Sequence, residues 1–180
     1  MEEVFLSKKH IDTIVQRVAD EITNYYWETN DVLIVGVLEG AKPFVEDLYK
    51  RLSGKFSIAY LKASSYYNDT SSSGEVDIDF SMTGFVTGRN ILLIDDIYDT
   101  GYTIDAITKK LKQMDIISLA TCVLLNRINN HKKDVNINFK GVDVRHNKFL
   151  IGYGLDDKGE RREQPYITMK EEDDDWKKIP

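Results

Sequence analysis

What most constrains the fold of this chain is a set of unbroken apolar runs. Val32-Leu33-Ile34-Val35-Gly36-Val37-Leu38 and Ile91-Leu92-Leu93-Ile94 contain no polar residue. A strand with one face in water alternates apolar and polar side chains, whereas a continuous β-branched run must be covered on both faces. Ser118 to Leu125 and Phe149 to Leu155 read as further buried strands, and Phe56 to Lys62 as another. Between them lie segments of helical period. Ser7 is placed to cap a helix with Ile11, Ile14, Val15, Val18, Ala19 and Ile22 on one face. Residues 41–52 carry Phe44, Val45, Leu48, Tyr49 and Leu52 at helical spacing, and Ile104, Ile107 and Leu111 mark a third helix. Covered strands alternating with amphipathic helices predict an α/β fold, a mainly parallel twisted sheet flanked by helices. Residues 63–75 have neither period and predict a long mobile loop, of a length that is usually either a lid or disordered.

With 180 residues, 42% of them hydrophobic, the chain can build one sizeable core, and no repeat or linker divides it. We therefore expect a single domain over 1–180, with 171–180 as an acidic tail: five acids stand there against two lysines. No apolar stretch reaches signal-peptide or membrane-spanning length, and the lone Cys122 cannot form an internal disulfide. A cytoplasmic protein is the expectation. The net charge of −6 disfavours a generic nucleic-acid binder.

The chemistry concentrates in Ile91-Leu92-Leu93-Ile94-Asp95-Asp96-Ile97-Tyr98-Asp99-Thr100-Gly101-Tyr102-Thr103, where a buried strand ends in two acids and leads through a small-residue turn into a helix. A helix N-terminus offers unpaired backbone N–H groups and partial positive charge. Gly101 permits close approach, and the Thr100 and Thr103 hydroxyls add donors, which suits a monophosphate. Paired carboxylates at a strand's carboxyl end lie where open α/β sheets bind ligands, and they suit vicinal hydroxyls or a magnesium ion. The same residues would also serve simply to start a loop and cap a helix.

This segment resembles the signature of the type I phosphoribosyltransferases: apolar residues, two acids, an apolar pair, then Asp-Thr-Gly and a Thr. Val35-Gly36-Val37-Leu38-Glu39-Gly40-Ala41, the Ser64-Ser65-Tyr66 loop, and Phe149 to Asp156 followed by Pro165-Tyr166-Ile167 narrow the resemblance to the hypoxanthine-guanine branch. It implies a fold with a small hood region, phosphoribosyl pyrophosphate and a 6-oxopurine as substrates, magnesium as cofactor, and a homodimer or homotetramer. By the same resemblance Asp95 and Asp96 hold the ribose hydroxyls and support magnesium, and Asp99 is the acid-base group at purine N7. Asp99, Thr100, Gly101, Tyr102 and Thr103 wrap the 5-phosphate. Glu39 and Gly40 lie in the turn that meets pyrophosphate, with Ser65 and Tyr66 on a closing loop and Arg162 beside the phosphate oxygens. Phe149 is in the position that stacks on the base, the backbone around Leu150 and Asp156 faces its six-membered ring, and Asp156 matches a further magnesium ligand.

Two positions depart from the pattern. Glu39 stands where the family usually has lysine, and a carboxylate there repels pyrophosphate unless it points away or pairs with a cation such as Lys42. Arg127 replaces the lysine that donates to the purine 6-oxygen; arginine offers only donors, so a 6-oxo group remains favoured over a 6-amino group. His10, His131 and His146 are scattered and suggest no zinc site. A same-fold enzyme for xanthine or a pyrimidine, or a regulatory RNA-binding protein using Arg127, Lys132, Lys133 and Arg145, are the competing readings. A P-loop module is excluded, because the chain has no Gly-x-x-x-x-Gly-Lys-Ser/Thr run.

Overall fold

A computed structural model describes residues 2–65, 76–78, 83–156 and 159–170. The elements in order are β1 (Glu3–Leu6), α1 (Lys8–Tyr25), β2 (Val32–Leu38), α2 (Lys42–Tyr49), β3 (Phe56–Ser65), β4 (Val76–Ile78), α3 (Thr83–Val86), β5 (Asn90–Tyr98), α4 (Tyr102–Leu111), β6 (Ser118–Arg127), β7 (Phe139–Val144), β8 (Phe149–Ile151) and β9 (Ile167–Lys170). They form a six-stranded sheet in the order β4-β3-β2-β5-β6-β7 and a small sheet in the order β1-β9-β8. In the large sheet β3, β2, β5, β6 and β7 run parallel, and only β4 is antiparallel. The α/β class with a mainly parallel sheet is as expected, and the antiparallel small sheet forms the hood.

The apolar runs are buried on both faces for the reason their composition suggested. Ile34, Leu92 and Ile94 enter the core shared with α1 and α2, while their neighbours Leu33, Val35 and Leu93 enter the core shared with α4. Each such side chain contributes roughly 1.5–3 kcal/mol when taken from water. The α1 start is fixed locally: Ser7 Oγ accepts from the His10 amide at 3.2 Å. Ile11, Val15, Val18, Ala19 and Ile22 form its buried stripe. Cys122 is buried in β6, and burial pushes its thiol well above the ordinary range, so it behaves as a small apolar side chain.

Four local expectations need correction. The strand through Ile91 does not stop at Asp95-Asp96; β5 runs on to Tyr98 because β6 continues to pair with it, Ile97 against Leu125 and Tyr98 against Asn126. Residues 149–155 are not one buried strand of the parallel sheet. β8 ends at Ile151 and belongs to the hood, and Gly152, Tyr153 and Gly154 then turn through positive φ. The helix placed over 41–52 is shorter, Lys42–Tyr49, and closes in a turn. Residues 63–65 extend β3 rather than opening a loop, with Ala63, Ser64 and Ser65 paired to β4. The strands β1, β7 and β9 were not anticipated; each is short, and β1 finds its partner, β9, only at the opposite end of the chain, with β8 on the other edge of β9. Residues 171–180 lie outside the described residues, and so does the tail reading.

Candidate active site

At the carboxyl edge of the parallel sheet a cleft of about 540 Å³ opens between three turns. These are the β2–α2 turn with Glu39 and Gly40, the stretch from Asp95 to Thr103 that ends β5, turns and opens α4, and the hood segment carrying Asp156 and Arg162. The position follows from topology: in parallel sheets the loops leaving the strand carboxyl ends gather on one rim.

Asp95 is buried, 7% exposed, and Asp96 is half-buried beside it. Asp95 Oδ1 accepts from the Asp96 amide at 2.9 Å, and Asp96 Oδ1 from the Ile97 amide at 2.7 Å. Burial pushes the Asp95 carboxyl well above the usual carboxylate range, and the Asp96 charge adds to this. Burial raises Asp96 too, against the opposing pull of its hydrogen bonds and of Arg162. Two carboxyls so placed are poorly compensated by the protein and favour an incoming cation or a hydroxyl donor. Gly40 lies directly against Asp96: a Cβ there would overlap Oδ2. The Leu38–Glu39 peptide that enters this turn is cis.

Beyond β5 the chain turns at Gly101, whose φ of 87° is left-handed and whose α-hydrogen faces the Tyr98 ring and the Lys133 carbonyl. Gly101 is the N-cap of α4 and has no side chain to occupy the helix's first amides. Thr100, Gly101 and Thr103 line the cleft, whereas Tyr102 lies under the Lys133 ammonium, 5.2 Å from its ring centre. The turn is buttressed by the segment after β6. The amides of Lys132 and Lys133 donate to the Thr100 carbonyl at 2.9 and 3.0 Å. Asp99 Oδ1 accepts from Asn130 Nδ2 at 2.6 Å, with Arg127 Nε at 3.6 Å. Neither Asn130 nor the backbone of 132–133 figured in the sequence reading. Their only sequence signal was that β6 precedes them, which with β5–β6 pairing places this segment beside Asp99.

The hood is tied down over α2. Gly154 packs so closely on the Gly40 carbonyl that a side chain there would collide, and Tyr153 Oη donates to Asp47 Oδ2 at 2.9 Å. Arg162 donates to the Gly154 carbonyl at 2.6 Å and pairs with Asp156 Oδ1 at 2.9 Å, while Asp156 Oδ2 accepts from the Gly159 amide at 2.7 Å. Arg162 and Asp156 are thus interlocked charges of the cleft wall.

Asp95, Asp96, Asp99, Thr100, Gly101, Thr103, Glu39, Gly40, Asp156 and Arg162 therefore converge on one cleft. Arg127, Phe149 and Leu150 do not line it. Arg127 is 8% exposed and donates to the Lys148 carbonyl at 3.2 Å, with its Nε buried and without a hydrogen bond. Phe149 is 38% exposed, and Leu150 is core. A buried Arg127 also takes no part in a surface basic patch with Lys132, Lys133 and Arg145. Glu39 is exposed and makes no ion pair among the described residues, with Lys42 or otherwise. Ser65 ends β3, and Tyr66 lies outside the described residues.

The family model for the phosphoribosyl transferase domain matches residues 5–158. The hypoxanthine-guanine phosphoribosyltransferase of Staphylococcus aureus is 34% identical over 173 residues, 96% of each chain. That of Bacillus subtilis is 36% identical over 169 residues, 94% of this chain and 93% of the relative. A crystal structure of a hypoxanthine phosphoribosyltransferase from Staphylococcus aureus superposes with a TM-score of 0.83 at 34% identity, covering 93% of this chain and 91% of that one.

Proposed function

Because this chain belongs to the phosphoribosyltransferase family, we propose that it is a purine-salvage enzyme that transfers 5-phosphoribosyl from phosphoribosyl pyrophosphate to hypoxanthine or guanine, releasing IMP or GMP and pyrophosphate. The hypoxanthine-guanine enzymes it resembles align with it almost end to end. The single observation that carries the reading is the uncapped start of α4 at Gly101, opening into the same cleft as the Asp95-Asp96 pair. A phosphate site and a site for vicinal hydroxyls at that spacing suit a sugar 5-phosphate.

In this reading the α4 amides and the Thr100 and Thr103 hydroxyls bind the 5-phosphate, and the acid pair accepts from the ribose hydroxyls. The Gly40 amide and Arg162 receive pyrophosphate. As the bond between the anomeric carbon and pyrophosphate lengthens, positive charge grows on the ribose, and the nearby carboxylates favour that charge. N9 of the base forms the new bond to this carbon, and the N7 proton passes to Asp99 and then to solvent. Arg127 offers donors only, and it would favour a 6-oxo over a 6-amino base if its guanidinium turned from the Lys148 carbonyl toward the cleft.

The donor set is oxygen-only and suits magnesium, but it is not a ready-made cage: among the described residues no three His, Cys, Asp or Glu side chains come close enough together to hold one ion. Asp95 and Asp96 each accept one backbone amide on Oδ1 and interact with each other, whereas both oxygens of Asp156 are engaged by Arg162 and the Gly159 amide. Magnesium keeps waters and takes one or two carboxylates together with substrate phosphates, so Asp95 and Asp96 are the residues that would hold it. When bound it neutralises charge on the leaving pyrophosphate.

The test is turnover of hypoxanthine, guanine, xanthine and adenine with phosphoribosyl pyrophosphate, with and without magnesium, followed by absorbance. Magnesium-dependent IMP or GMP formation is the expected result. Product from none of the four bases would overturn the reading.

A further inference from the structure

We propose that Asn130 is the positioning residue of Asp99, fixing one oxygen of that carboxylate so that the other is presented to the purine; this rests on the role given to Asp99 above. Asn130 lies three residues past β6, Asp99 one residue past β5, and the pairing of Tyr98 with Asn126 sends the two outgoing segments along the same rim. Asn130 Nδ2 donates to Asp99 Oδ1 at 2.6 Å, and Arg127 Nε stands 3.6 Å from the same oxygen. Both groups fall on Oδ1, and among the described residues Oδ2 takes no hydrogen bond. That leaves Oδ2 as the oxygen to receive a proton from the base.

Such a restraint is needed because Asp99 is the least enclosed of the three acids, its side chain 38% exposed and carried on a turn. A carboxylate free to rotate would spend little time aimed at N7, and the misplacement of a reacting group by an ångström is costly. Asn130 can hold it because its own segment is held. The His131 ring stacks on Tyr98 with centres 3.8 Å apart and planes 17° apart, and Tyr98 Oη donates to the Lys133 carbonyl at 2.5 Å. The segment also grips the Thr100 carbonyl through two amides. The hydrogen bond to Asp99 is charge-assisted, and among such bonds it is short.

The experiment is steady-state kinetics on Asn130→Ala and Asn130→Asp, alone and, for the alanine, in an Asp99→Asn background. Asn130→Ala should lower kcat about tenfold with KM for phosphoribosyl pyrophosphate changed by less than about twofold, the size expected for losing one bond to a charged group. Asn130→Asp keeps the side-chain volume but removes the donor, and should lower kcat at least as far. In the Asp99→Asn background the alanine change should cost nothing further, because a residue acting through Asp99 has nothing left to position. Wild-type kcat for Asn130→Asp, an effect of Asn130→Ala confined to KM, or a full additional loss in the double variant would each overturn the proposal. Wild-type turnover from Asp99→Asn alone would instead sink the role of Asp99, and the proposal with it.

Discussion

Gly40 lies flat against the Asp96 carboxylate, with no room for a methyl group between its α-carbon and Oδ2. The turn after β2 and the acids of β5 therefore form one surface, and the Gly154 backbone presses on that turn from the hood side. Gly40→Ala must push Asp96 aside or open the turn. Overpacking of this kind costs about 1–3 kcal/mol, and we expect kcat/KM for phosphoribosyl pyrophosphate to fall at least about tenfold. Kinetics paired with a thermal melt check this; unchanged kinetics would mean that the turn moves without the carboxylate.

Burial holds the Asp95 and Asp96 carboxyls above their ordinary values. The folded chain thus binds protons more tightly than the unfolded one there. Their contribution to stability is fully present below the unfolded carboxylate value of about 4 and is lost as pH rises through the raised folded values. Asp95→Asn keeps the acceptor for the Asp96 amide and removes the charge. It should stabilise the ligand-free protein at pH 7 and leave it near wild type at pH 4. Urea melts at the two pH values decide it, and equal stability of the two proteins at pH 7 would contradict the assignment.

Gly101→Ala places a side chain at φ 87° with its Cβ 2.6 Å from the Tyr98 ring. The strain is about 1–2 kcal/mol before the clash is counted. Since Gly101 is the N-cap of α4, KM for phosphoribosyl pyrophosphate should rise about tenfold with the KM for the base nearly unchanged. A larger effect on the base than on the sugar donor would displace the phosphate site from this turn.

Glu39 adds a further negative charge to a cleft proposed to hold an anion, and no cation pairs with it among the described residues. Glu39→Gln should lower KM for phosphoribosyl pyrophosphate about two- to fivefold, and the gain should shrink with added salt, as it does for exposed charges. A raised KM would show that the carboxylate contributes to binding instead.

The parallel sheet and its helices were legible because their signal is local. An unbroken run such as Val32–Leu38 states its own burial, and Ser7 with the stripe from Ile11 to Ile22 states its own helix. The cleft residues from Asp95 to Thr103 were legible for a similar reason, since one contiguous strand, turn and helix carries them. The hood strands were not, because β1 and β9 are four residues each, and β1 owes its form to pairing with β9 far along the chain. The extension of β5 through two acids was hidden too: polar residues read as a strand end until the partner strand is known to continue beside them. Asn130 was invisible for want of any pattern linking it to Asp99, as only strand register joins them.

The pairing of Glu3 with Met169 and Val4 with Thr168 makes the molecule a loop closed on itself. During synthesis, which proceeds from the N-terminus, β1 is made first among the strands and must wait for nearly the whole chain before its neighbour exists. The parallel sheet, complete at Val144, can assemble meanwhile. Asp156 and Arg162 arrive only afterwards, on the stretch between β8 and β9. The residues of the scaffold are therefore made before the last residues of the cleft wall, and the pairing of β1 with β9 has to follow both.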